Sequence, residues 1–82
     1  MAEKTLIYGN NWCPDCYRAK SIFKKMKAEF LWINIDSNAS ARKLVMEINN
    51  GNCSVPTIVF ADGSVLVEPS SRDLEDKLRS IA

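Results

Sequence analysis

The five residues Trp12-Cys13-Pro14-Asp15-Cys16 restrict the fold of this chain more than any other stretch. Just before them, Thr5-Leu6-Ile7-Tyr8 has the composition of a short buried strand, expected over about Thr5 to Gly9. Just after them, Tyr17, Ala19, Ile22, Phe23 and Met26 recur at helical spacing, which predicts a helix from Pro14 to about Ala28. Pro14 suits the first helical position, where its missing N–H leaves nothing unpaired. Cys13 then falls at the N-cap and Cys16 one turn further in. The chain must pass from strand to helix at a pair of thiols.

The remaining elements follow in order. Phe30-Leu31-Trp32-Ile33-Asn34-Ile35 is rich in aromatic and β-branched residues and predicts a second strand. A second helix is expected over about Ala39 to Asn49, with Ala41, Leu44, Val45 and Ile48 on one face. Asp36, Ser37 and Asn38 offer caps at its start, and Asn50-Gly51 offers a left-handed stop. Thr57-Ile58-Val59-Phe60 and Val65-Leu66-Val67 flank Asp62-Gly63, a signal for a tight hairpin. Ser70 or Ser71 caps a last helix whose Leu74, Leu78 and Ile81 form an apolar stripe.

The order β-α-β-α-β-β-α predicts an α/β fold. A helical crossover makes the first two strands parallel, and the hairpin adds two antiparallel ones. The result is a four-stranded mixed sheet with helices on both faces. Neither repeats nor linkers divide the 82 residues, so residues 1–82 are expected to form one domain and a monomer.

Charge narrows the partners. Eleven Lys and Arg face ten Asp and Glu, leaving no field to attract nucleic acid or an anionic membrane, and neither partner is expected. No apolar run approaches the roughly 20 residues needed to span a bilayer. Met1-Ala2-Glu3-Lys4 leads into the first strand without an export signal, so a cytoplasmic location is the default expectation.

Three cysteines cannot all pair within one chain, which argues against a disulfide-stapled scaffold. In a reducing compartment a close Cys pair is catalytic or metal-binding. Structural zinc takes four protein ligands, whereas this chain has no His and only one further Cys. No metal site is therefore expected; the rival reading is a metal- or Fe-S-binding module, such as a cluster shared between subunits.

The redox reading rests on thiolate chemistry. A free Cys titrates near ~8.5, and one in a Cys-x-x-Cys motif at a helix start at about 3.5–7.5. Cys13 is expected to attack a substrate disulfide and Cys16 to resolve the mixed disulfide. Asp15 places a negative charge beside the developing thiolate, which opposes the helix dipole and should make the disulfide harder to reduce. Pro56 would remove a ladder donor at a strand start, and a cis Val55-Pro56 bond there would expose Val55 backbone groups to an incoming substrate. Only ~5–6% of X-Pro bonds are cis, so the residues alone do not decide this.

A strand, then Trp-Cys-Pro-x-Cys opening a helix, then Val55-Pro56-Thr57 before a hairpin, resembles the glutaredoxin branch of the thioredoxin superfamily. Within it the chain is most similar to the mycoredoxins, through Asn50-Gly51-Asn52, Phe60-Ala61-Asp62-Gly63-Ser64 and Pro69-Ser70. The resemblance implies a thioredoxin fold, a cis Val55-Pro56 facing Cys13, and reduction of protein or low-molecular-weight-thiol mixed disulfides. It implies no tightly bound cofactor. Glutathione-using members carry Lys where this chain has Asn10, a cationic residue or Gln at Cys53, and Gly-Gly then Ser/Thr-Asp at Glu68-Pro69-Ser70-Ser71. That leaves glutathione without its cationic partners. It favours another low-molecular-weight thiol as co-substrate, or a flavoprotein reductase of the thioredoxin-reductase type.

Other residues keep two readings. Trp12 packs the strand end or forms a substrate platform. Tyr17 covers the site edge or joins the core. Cys53, on the loop facing the site, is an exposed leftover thiol or a third redox thiol. Lys20, Lys24, Lys25 and Lys27 form a solvated helix face or a docking patch for an acidic reductase. Ser70 and Ser71 are helix caps that, by the resemblance, also touch the γ-glutamyl-like end of a thiol co-substrate.

Overall fold

A computed structural model describes residues 4–81 of the chain. Its elements are β1 (Leu6–Gly9), α1 (Pro14–Lys25), β2 (Leu31–Asn34), α2 (Ala39–Ile48), β3 (Thr57–Val59), β4 (Val65–Val67) and α3 (Ser71–Ser80). This is the expected order, in a four-stranded mixed sheet β2-β1-β3-β4. β1 runs parallel to β2, with Ile7 opposite Trp32, and antiparallel to β3, with Ile7 opposite Ile58. β3 and β4 pair antiparallel through Ile58 and Leu66.

The strand pleat sorts the core into two layers. Ile7 and Ile58 point to one face, where Ala19, Ile22 and Phe23 of α1 and Leu74 and Leu78 of α3 cover them. Tyr8 points to the other and meets Ala41 and Val45 of α2. With both of its faces covered, β1 reads as an unbroken apolar run rather than an alternating one.

Local chemistry sets the ends of the helices. Asn38 Oδ1 accepts the Ala41 N–H at 3.0 Å, and Ser70 Oγ accepts the Asp73 N–H at 3.0 Å, so Asn38 and Ser70 are the caps. α2 stops where Asn50 enters the left-handed region (φ +55) and the Gly51 N–H bonds Met46 O at 2.7 Å. α1 ends at Lys25 rather than near Ala28. Lys27 adopts φ +56, and the Ala28 N–H returns to Phe23 O at 2.9 Å, so the same motif closes here without a glycine. The reversal lets Phe30 meet Phe23 edge-on at 5.2 Å.

Three other expectations are corrected. Leu44 is exposed, because α2 lays Ala41 and Val45 on the sheet and turns Leu44 outward. Ile81 lies past the end of α3 and is also exposed. The hairpin is wider than a two-residue turn: the Phe60 N–H bonds Ser64 O at 2.8 Å and the Gly63 N–H bonds Phe60 O at 2.9 Å, with Gly63 at φ +90.

Asp62 ties that hairpin to α3. It accepts from the Ser64 hydroxyl at 2.6 Å and N–H at 2.9 Å, and from Lys77 Nζ at 3.0 Å. The Ser64 bonds first, then Lys77, hold its carboxyl well below the usual carboxylate range. A depressed folded-state pKa adds stability above the unfolded value, near ~3.9, and that stability is lost as pH falls through the folded value. Urea unfolding of wild type and Asp62→Ala should therefore show a constant gap between about pH 6 and 8 that shrinks below about pH 4. Lys27→Gly should stabilise the fold by about 0.5–1 kcal/mol in the same assay, because glycine avoids the left-handed penalty.

Candidate active site

The loop after β1 turns on Asn10, whose Oδ1 accepts the Trp12 N–H at 3.1 Å. Cys13 follows as the N-cap of α1, with extended backbone (φ −111, ψ 104) and Pro14 behind it. Its half-exposed Sγ accepts the Cys16 N–H at 3.0 Å, which any negative charge on that sulfur would strengthen. The same Sγ lies 3.6 Å from Val55 O, to which the thiol donates. The Val55-Pro56 peptide is cis.

Neighbouring elements fix the Val55-Pro56 loop. The Thr57 hydroxyl donates to Ser54 O at 2.7 Å, and the Asn49 amide donates to Thr57 Oγ1 at 3.2 Å and Val45 O at 2.8 Å. The Glu68 N–H donates to Pro56 O at 2.8 Å, with Glu68 itself at φ +47.

Cys16 is fully buried. Burial first, then its hydrogen bond with Cys13, pushes its thiol up to about 12, while a backbone bond from Asn10 works the other way. The space around it is tight. A Cβ at Gly9 would lie 2.6 Å from Cys16 Sγ and 2.6 Å from the Trp32 ring, so sulfur and indole both rest on bare backbone. Over that indole stands Lys20, its Nζ 3.9 Å from the ring centroid.

The other predicted residues separate into those at the thiols and those beside them. Trp12 is 85% exposed, which removes the packing reading, and Tyr17 at 73% is not core. Asp15 lies 3.4 Å from Arg18 Nη2, which also donates to Pro69 O at 3.2 Å, joining α1 to the β4–α3 loop. Ser70 is exposed but has its hydroxyl committed to the Asp73 N–H, while Ser71 is half-buried in the first turn of α3. Cys53 is half-buried against the Tyr8–Val45 layer, alongside Val55, and is not an exposed leftover. The basic run is not uniformly solvated either, since Lys20 covers Trp32 and Lys25 pairs with Glu75 at 3.3 Å. Among the described residues, no group of three or more His, Cys, Asp or Glu side chains gathers as a metal ion would need.

Gly9, Arg18, Lys20 and Trp32 were not predicted here. Only Lys20 left a trace in the sequence, four residues after Cys16 and so on the same helix face. Together the groups can hold one accessible and one sequestered thiol within disulfide reach, facing a backbone carbonyl.

The glutaredoxin family model matches residues 5–66. The chain belongs to the glutaredoxin family. A Mycobacterium tuberculosis protein named as a glutaredoxin is 38% identical over 76 residues, 93% of this chain and 90% of that one. Mycoredoxin 1 of Corynebacterium glutamicum is 31% identical over 77 residues, 93% of this chain and 94% of the relative. A crystal structure of a thioredoxin-like protein superposes with a TM-score of 0.79 at 25% identity, covering 92% of this chain and 99% of that one. The fold is thioredoxin-like, and the chain is a glutaredoxin-like thiol oxidoreductase. Family membership carries disulfide-containing substrates and a low-molecular-weight thiol partner, with no tightly bound cofactor.

Because a Cβ at residue 9 would collide with both the buried sulfur and the indole, Gly9→Ala should destabilise the reduced protein by about 1–3 kcal/mol. Thermal or urea unfolding of the reduced form checks this; an unchanged midpoint would contradict the packing described.

Proposed function

We propose that this glutaredoxin reduces protein or low-molecular-weight mixed disulfides through a Cys13/Cys16 dithiol. The observation carrying the reading is the asymmetry of the two thiols: Cys13 is half-exposed on a helix N-cap opposite Val55 O, and Cys16 is buried one turn behind it. The Cys13 thiolate attacks a substrate disulfide, forming a mixed disulfide and expelling one substrate thiolate, which takes up a proton. Cys16 then attacks Cys13 Sγ as the thiolate, its proton passing to the departing substrate sulfur. A Cys13–Cys16 bond forms and the second substrate thiol leaves, so the substrate gains two electrons and the protein loses two.

Val55 and Pro56 serve as the opposite wall that aligns the substrate backbone, and exposed Trp12 beside Cys13 serves as its platform. Pro14 orients the helix start. Ser70 and Ser71 mark the edge nearest a thiol co-substrate, and half-buried Cys53 borders the Val55 side. The proposal takes residues 1–82 as one domain acting as a monomer in the cytoplasm.

The thiol that restores the dithiol is taken to be other than glutathione, because Asn10 and Cys53 stand where cationic or amide groups are expected. Offering the oxidised protein glutathione, mycothiol, bacillithiol, and a thioredoxin reductase with NADPH in turn tests this. Fast recovery with glutathione alone would overturn the co-substrate reading, and recovery only with the flavoenzyme would replace the thiol by a protein reductant.

Two variants test the chemistry. Cys16→Ser should accumulate a one-to-one mixed disulfide at Cys13, visible by intact mass, while Cys13→Ser should lose turnover entirely. Asp15→Asn should raise the reduction potential by roughly 10–20 mV, a small shift because Asp15 is solvent-exposed and shared with Arg18. A redox titration giving an equal or lower potential would remove Asp15 as a modulator.

A further inference from the structure

The dithiol reading leaves one step without chemical support. Cys16 must become a thiolate to resolve the mixed disulfide, yet it sits where water does not reach. Cys13 cannot help, since its sulfur is already bonded to the substrate and offers Cys16 no charge. The Asn10 backbone N–H favours the anion but carries no net charge either.

Few charged groups lie on the elements around Cys16. On α1, Asp15 and Arg18 are paired at 3.4 Å on the flank toward Pro69. β1 offers the bare backbone of Gly9, with Tyr8 on the opposite face of the sheet. β2 offers only the Trp32 ring. From α3, Glu75 is tied to Lys25 at 3.3 Å, further along α1. Lys20 remains. It is a half-buried residue one helical turn beyond Cys16, on the same face, with its ammonium 3.9 Å from the centroid of the ring that walls in the sulfur.

Building on the dithiol reading, we propose that Lys20 is a positioning residue for the resolving step. Seated on Trp32, its ammonium stabilises the Cys16 thiolate as that thiolate attacks Cys13 Sγ. The indole contributes twice. It fixes the flexible side chain by cation–π attraction, and it excludes water, so the charge acts across a medium less polar than solvent. Of the charges acting on Cys16, Lys20 pulls against burial. Its attraction is smaller than the burial penalty, so it speeds resolution without leaving Cys16 ionised at rest.

The test separates the two halves of the reaction with 5,5′-dithiobis(2-nitrobenzoate), in a Cys53→Ser background that removes the third thiol. Attack by Cys13 releases a first nitrothiobenzoate, and attack by Cys16 on the resulting mixed disulfide releases a second. Stopped-flow absorbance resolves both across pH. Lys20→Met should slow the second release about two- to fivefold at neutral pH, move its pH midpoint upward, and leave the first release unchanged. Lys20→Arg keeps the charge and should stay close to wild type.

Four results would count against the idea. A Lys20→Met profile superimposed on wild type would overturn the role of Lys20 and leave the dithiol intact. Equal slowing of both releases would show a general disturbance of the site, as would a Lys20→Arg variant as slow as Lys20→Met. If the wild-type lysine protein shows no second release at all, the dithiol reading itself fails, and the Lys20 role with it.

Discussion

The contact between Cys16 Sγ and the bare backbone of Gly9 governs the geometry of the whole site. It lets the first turn of α1 close onto the end of β1, which a side chain at residue 9 would prevent. With α1 seated there, its N-cap thiol falls beside Val55 O, and its second thiol falls between sheet and indole. The two cysteines share a motif and a helix but not an environment. One is half-exposed at the helix start; the other is fully buried.

The magnitudes decide what can tune such a site. Sealing a thiol from water penalises its charged form by several pKa units in fully buried cases. An exposed ion pair such as Asp15–Arg18 contributes a few tenths of a kcal/mol to about 1 kcal/mol. Burial therefore sets the difference between the thiols, and the surface charges adjust it. Arg18 has a second effect through its bond to Pro69 O, which ties the active-site helix to the loop entering α3. Losing that bond would loosen the site edge even if the charge at Asp15 changed little.

Most of the architecture was legible in the chain because local and long-range signals agree. Pro14 at the first helical position, Asn50-Gly51 at a helix end and Asp62-Gly63 in the hairpin each have a local cause that the tertiary fold leaves in place. Legibility failed where length or distance intervened. Leu44 and Ile81 keep helical periodicity, but short helices on a narrow sheet bury only the residues over its centre. Lys27 takes a left-handed conformation without the residue type that announces one, because Phe30 needs the chain to reverse there. The Lys20–Trp32 pairing joins α1 to β2 across the fold, so Lys20 reads in sequence as one more surface lysine.

The rigidity of the site also has a source outside it. Two loops beside the active-site helix are held by donors belonging to other elements. Asn49 of the α2 C-cap and the Thr57 hydroxyl hold the Ser54–Pro56 segment, the Glu68 N–H holds Pro56 O, and Arg18 holds Pro69 O. Fixing a backbone residue costs roughly 1–2 kcal/mol of conformational entropy. Here that cost is met when the sheet and helices assemble, before any substrate arrives. The Val55 carbonyl is therefore oriented in the free protein, with the Cys13 thiol 3.6 Å away. Seating Cys13 on the N-cap of α1 and Val55 just before β3, with the chain around them braced by its neighbours, is what lets so small a core hold the two in register.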